Sequence, residues 1–410
     1  MSTAHRTASS AWAVPWAVAE VFAGVGSVAR GFAHAGGFQV AYLNDTDPVA
    51  RAAYLTNDPP DAVYELRDIR AVTGRIIRDV AAGRPIAGLL GCPPCQGWSA
   101  AGRRDASDRR NGLLKDFFRL VNSLYPVFFV MENVPSVADR VEFAAALATL
   151  RGRYRVWHGV LNSASYGLPQ SRQRVLVIGY RHDTRVTPSC PLPTHAGRGK
   201  IWDYRTETFI EPSADTLDAL LGAAPRLGAT RAAQYSMRDY YPEMLGALQP
   251  FVTVGEAIGD LEEERSRPRS GYARSLGAGQ QQVSNHEPWD HGQNLIDRLR
   301  QVKEGCRPPV EATNGRRYYS QAYARLHRKG LARTITTNFH NPGSGRFLHY
   351  RLHRTLTVRE AARLQGFRDD FVFIGHHGWQ ERLVGNAFPP LWAESIASHI
   401  VTELRHVLAA

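Results

Sequence analysis

Two cysteines flanking two prolines, Cys92-Pro93-Pro94-Cys95, are the most reactive side chains that this sequence brings together. They allow three chemistries. A redox pair would use both thiols. A zinc site would need two further ligands, and Cys190 and Cys306 stand isolated in the sequence. A single nucleophilic thiol at Cys95, stiffened by Pro94, would need an electrophile and an acid. Glu132 is the candidate acid, although a carboxylate at a strand end can also be merely solvated. Gln170-Ser171-Arg172-Gln173-Arg174 sets two guanidiniums two residues apart, on one face of a strand. They could hold one anion or one polar base edge, or simply face water. Gly24-Val25-Gly26 forms a tight turn, and Asp45, about twenty residues on, could bind ribose hydroxyls. That pair fits a dinucleotide, a flavin or S-adenosylmethionine, and a purely structural turn as well. Directly after Cys95, residues 97–112 read as a lid whose Arg103, Arg104, Arg109 and Arg110 are available for phosphates.

These residues are useful only if the fold gathers them. Apolar runs at Val18–Phe22, Phe38–Leu43, Ile86–Leu90, Val127–Met131 and Val175–Tyr180 read as short buried strands. Helical patterns lie between them at Ser27–Ala35, Pro48–Leu55 and Leu113–Leu124. Such alternation predicts an α/β fold with a doubly wound, mostly parallel sheet. In that architecture ligands bind beyond the carboxyl ends of the strands. The glycine turn, Asp45, Cys95 and Glu132 all follow predicted strands, and Asp68 closes another short apolar stretch, so one sheet edge collects them. From about residue 183 to 340 the alternation stops, and Pro, Gly, Ser and Arg are scattered through an irregular region expected to be mostly β or loop. Thr357 with Glu360 is the signature of a capping box opening a short helix. A last helix is expected from Pro390 to Leu408.

The chain has 410 residues, 43% hydrophobic and 21% charged, which is a globular and not a disordered composition. No stretch of about 18 apolar residues lacks a charge or a proline, so no membrane span is expected. The apolar stretch Ala11–Val25 is interrupted by Pro15 and Glu20 and reads as a strand and turn, not a leader. Cysteine usage suits a reducing cytoplasm. The net charge of +12 suggests a nucleic-acid partner, although only four of the fifty basic residues are lysine, a pattern that a GC-rich coding bias also produces.

Taken together, the motifs resemble the DNA (cytosine-5) methyltransferase family. They are Phe22-Ala23-Gly24-Val25-Gly26, Pro93-Pro94-Cys95-Gln96, Glu132-Asn133-Val134, Gln170-x-Arg172-x-Arg174, the run from Thr357 through Arg363-Leu364-Gln365-Gly366-Phe367, and Gly385-Asn386-Ala387, in family order. The resemblance implies a Rossmann-like catalytic domain at 1–184, completed by 379–410, with a smaller target-recognition domain at 185–378. It implies Cys95 as nucleophile and Glu132 as acid, with Arg172 and Arg174 in support. S-adenosylmethionine would be held by Phe22, Gly24, Gly26, Asp45, Asp68, Pro94 and Asn386. Double-stranded DNA would meet Gln96, Ser99, Arg103, Arg104, Arg109 and Arg110. The implied enzyme acts as a monomer, without a membrane, as the modification half of a restriction system or alone.

Some positions depart from the family pattern. Asp45 stands where Glu is usual, Thr46 where some members carry an aromatic, Leu383 where Gln is usual, and Phe388 where the residue is smaller. These bear on cofactor affinity and not on the reaction class. Three rivals remain: methylation of tRNA, DNA binding without catalysis, and redox chemistry at Cys92 and Cys95.

Overall fold

Apolar runs separated by amphipathic segments build a sheet strand by strand in the computed structural model, which describes residues 15–58, 61–81, 83–94, 112–196, 199–221, 247–262, 270–277, 283–309 and 321–408. The first half carries β1 (Trp16–Val21), α1 (Ser27–Ala35), β2 (Phe38–Asp45), α2 (Pro48–Asn57), β3 (Val63–Leu66), α3 (Gly74–Val80) and β4 (Ile86–Gly91). It continues with α4 (Leu113–Leu124), β5 (Phe128–Asn133), α5 (Val141–Ala148), β6 (Tyr154–Asn162), the two-residue β7 (Gln170–Ser171) and β8 (Gln173–Arg181). Seven of these strands form one sheet in the order β3-β2-β1-β4-β5-β8-β6. The pairs β2–β3, β1–β2, β1–β4 and β4–β5 are parallel. β8 runs antiparallel to both β5 and β6. The chain leaves β1 towards β2 and returns from β3 to the other flank of β1. This reversal opens a crevice at the carboxyl ends of β1 and β4.

Strands buried on both faces explain the nearly continuous apolar runs. Along β1, Ala17, Ala19 and Val21 share a core with Phe117, Phe118 and Val121 of α4. The alternate residue Val18 joins the opposite core with Phe32 of α1.

The second half adds β9 (Ile201–Asp203), β10 (Thr208–Ile210), α6 (Ala214–Leu221), α7 (Val254–Ile258), α8 (Gly271–Ser275), α9 (Gln293–Arg300) and β11 (Ala332–Arg333). It closes with α10 (Val358–Leu364), α11 (His377–Asn386) and α12 (Pro390–Leu408). The region expected to be mostly β or loop is irregular, but it holds short helices as well as strands. α10 begins with the capping box expected at Thr357 and Glu360. α12 returns to the first half, where Trp392, Ile396 and Ile400 pack with Val28 and Phe32 of α1. Gly31 permits this approach, because a Cβ there would lie 2.5 Å from Pro390 O and from Ala393 Cβ.

Candidate active site

The turn after β1 uses backbone that ordinary residues avoid: Phe22, Gly24 and Gly26 have φ of 56°, 52° and 70°. A Cβ on Gly26 would come within 2.5 Å of the Tyr54 ring, so only glycine leaves the turn this shape. The Ala23 amide donates to Asn44 O at 3.0 Å and the Gly26 amide to Ala23 O at 2.8 Å. At the end of β2, Asp45 Oδ2 accepts the Gly24 amide at 2.8 Å. Its Oδ1 accepts the amides of Thr46 at 2.7 Å and Asp47 at 3.1 Å. The carboxylate expected to face a ribose is thus fixed against the glycine turn. After β3, Asp68 accepts the Arg70 side chain, and these hydrogen bonds hold its carboxyl well below the usual range.

Beyond β4 and β5, Asn133 Nδ2 donates to Pro93 O at 3.0 Å, tying the two strand ends together. Glu132 is buried, and its Oε1 lies 2.6 Å from Arg174 Nε. Arg172, expected to share a strand face with Arg174, falls between β7 and β8 and is also buried. Burial, followed by the charges of Glu132 and Glu20, pushes the Cys92 thiol well above its ordinary value. Cys92 is therefore a protonated neighbour of the acid and a poor nucleophile.

One cavity of ≈ 540 Å³ joins these parts. Phe22, Gly24, Asp45, Asp68, Pro94, Glu132, Arg172, Arg174 and Asn386 all line it, whereas Gly26 supports the turn from behind. Cys95, Gln96, Ser99, Arg103, Arg104, Arg109 and Arg110 lie outside the described residues; Pro94 is the last one described before them.

The sequence reading missed Glu20 and Gln365. Glu20, 1% exposed near the carboxyl end of β1, also lines the cavity, and its Oε2 accepts the Ala29 amide at 2.8 Å. Its signal was a lone charge inside an apolar run. Desolvation pushes its carboxyl up to about 8. Gln365 Nε2 donates to Val384 O at 3.1 Å and Ala387 O at 3.0 Å, which brackets Asn386. Its Oε1 accepts Gln170 Nε2 at 2.6 Å, and Gln170 Oε1 accepts the Ile335 amide at 3.0 Å. This buried amide pair holds the α11 end and the arginine-bearing segment in one frame.

The strand order, the glycine turn at the switch point and the acids at adjacent strand ends define a Rossmann-like methyltransferase fold. The chain belongs to the C-5 cytosine-specific DNA methylase family, whose model matches residues 16–402. It is 28% identical over 411 residues to the type II methyltransferase M.DdeI of Desulfomicrobium norvegicum, covering 93% of this chain and 88% of that protein. It is 29% identical over 395 residues to M1.HphI of Haemophilus parahaemolyticus, covering 93% and 86%. Among solved structures, a putative DNA modification methyltransferase encoded within an E. coli prophage superposes with a TM-score of 0.63 at 23% identity, covering 95% of this chain and 99% of that one. That last likeness speaks for the fold alone.

Proposed function

We propose that this chain transfers a methyl group from S-adenosylmethionine to C5 of a cytosine in a specific duplex DNA sequence. The observation that carries the reading is the single cavity lined both by the glycine turn with its acids and by Glu132, Arg172 and Arg174. Its volume falls in the usual range for a nucleoside-sized ligand. The donor set also fits the cofactor: a turn with no side chain at Gly24, an Asp45 carboxylate beside it, and Asp68 and Asn386 on the wall. These residues with Phe22 and Pro94 would hold S-adenosylmethionine, and Gly26 would keep the turn open. When bound, the cofactor supplies an electrophilic methyl carbon.

Cytosine C5 is a weak nucleophile until C6 is saturated. Cys95 supplies the thiolate that bonds to C6, while Glu132 shares a proton with ring N3. Electron density then moves to C5. After C5 is methylated, the C5 proton passes to solvent, the electron pair of that bond expels Cys95 Sγ from C6 as thiolate, and N3 returns its proton to Glu132, which restores the aromatic ring. The Arg174 contact keeps Glu132 oriented, and Arg172 and Arg174 together offer positive charge to the base edge or an adjoining phosphate. C6 is shielded inside stacked DNA, so the target base must leave the helix to meet these groups. Residues 185–378 supply target recognition, and Gln96, Ser99 and the arginines of 97–112 close on the DNA. The enzyme works as a monomer in the cytoplasm, as the modification half of a restriction–modification pair or as a solitary methylase.

Bisulfite sequencing of DNA from cells expressing the wild type, Cys95→Ala and Cys92→Ser tests the reading. Protected cytosines in one short sequence context are expected with the wild type and with Cys92→Ser, and none with Cys95→Ala. Loss of protection in Cys92→Ser alone would favour the redox chemistry. No protected cytosine with soluble wild type would overturn DNA methylation.

A further inference from the structure

Gly24 presents both of its backbone polar groups in the turn that faces the cavity, and each is tied to a different strand. Its amide donates to Asp45 of β2 at 2.8 Å, and its carbonyl accepts the Tyr64 hydroxyl of β3 at 2.6 Å. Tyr64 is 5% exposed, so this bond is sheltered from water. Its ring centroid lies 5.5 Å from that of Tyr54, the ring that fills the space in front of Gly26. The Tyr64 carbonyl in turn accepts Arg51 Nε at 3.1 Å, which anchors the strand to α2. Phe22 holds left-handed backbone, which a non-glycine residue keeps only where the surroundings impose it, whereas Gly24 takes the same region at no steric cost. Burial, then the charges of Asp45 and Glu20, push the Tyr64 phenol far up, so it remains a donor at any working pH.

We propose that Tyr64 is a positioning residue for the cofactor: its hydroxyl holds the Gly24 carbonyl, and through it the shape of the turn that receives S-adenosylmethionine. The inference rests on the cofactor reading above. Tyr64 is not among the residues lining the cavity, so it acts through Gly24 and not by contact. The two anchors hold the peptide units on either side of the Gly24 Cα, one each, and so fix the turn on both sides of that residue. With Asp45 alone, the carbonyl is free to rotate towards the cavity mouth.

The Tyr64→Phe variant keeps the ring and removes one oxygen. Calorimetry with S-adenosylhomocysteine should show a dissociation constant raised roughly three- to tenfold, the worth of one buried neutral hydrogen bond. The KM for the cofactor should rise in step, with kcat at saturation and the KM for DNA within about twofold of wild type. Hydrogen exchange in a peptide spanning residues 22–26 should quicken in the variant. A tyrosine that only supports the core would lower the melting temperature and leave the ligand affinity unchanged, and that result would overturn the positioning role. Wild type failing to bind S-adenosylhomocysteine would instead overturn the cofactor reading, and this inference with it.

Discussion

Glu20 is a carboxylate whose surroundings oppose its ionisation. Its carboxyl is raised to about 8 by burial, against an ordinary value of 4.5, and two backbone amides only partly offset that cost. Between those two values the folded protein keeps the proton and the unfolded chain releases it. Stability therefore falls as pH rises through this window and levels off above about 8. Glu20→Gln keeps an oxygen for the Ala29 amide and removes the titration. Urea unfolding from pH 5 to 8.5 should show the variant gaining roughly a few kcal/mol on the wild type as pH rises. Parallel curves for the two proteins would refute the assignment. At this scale the sequence was informative where chemistry follows a strand directly: the expectations for Asp45, Asp68, Glu132 and Arg174 named residues that share the cavity. It gave no role to Tyr64 or to the Gln365 side chain, because their partners lie on elements far along the chain. Tyr64 meets Gly24 across forty positions, and no local pattern marks such a contact.

The elements themselves were legible where one physical signal dominated. α1, α4 and α12 begin and end where apolar spacing, the glycine turn and Pro390 set them. β6 was not expected, because Arg155, His158 and Gly159 interrupt its apolar pattern while the register with β8 still pairs the whole strand. The antiparallel direction of β8 was not legible either, since it depends on the short return through residues 163–169 and not on composition. α11 opens with His377-Gly378, a weak helix start, and is held by what surrounds it. Gln365, the C-cap of α10, is the clearest case. Gln365→Ala would leave Val384 O and Ala387 O without this donor and Gln170 Nε2 with only the Leu364 carbonyl as acceptor. A loss of roughly 2–4 kcal/mol is expected in chemical denaturation. The KM for the cofactor should rise more than the KM for DNA, because Asn386 sits between the two released carbonyls. Equal effects on both would place the role of the amide pair elsewhere.

The whole molecule is an arginine-rich body of net charge +12. No helix among the described residues is long and apolar enough to cross a membrane. If Arg103, Arg104, Arg109 and Arg110 neutralise phosphates, log K for DNA should fall linearly with log salt. Replacing each with Ala should flatten that slope by roughly one. Fluorescence anisotropy across 50 to 200 mM salt is the measurement, and unchanged slopes would remove the loop from the interface. Finally, the packing of α12 on α1 sets an order of events in synthesis. Phe22 and Gly24 leave the ribosome long before Asn386 and the residues that cover α1. A nascent chain stopped anywhere before α11 lacks Asn386 and its neighbours on the cavity wall and leaves the apolar face of α1 without its cover. Two pieces of a bisected gene would therefore rebuild the whole cavity only by meeting along that helical seam.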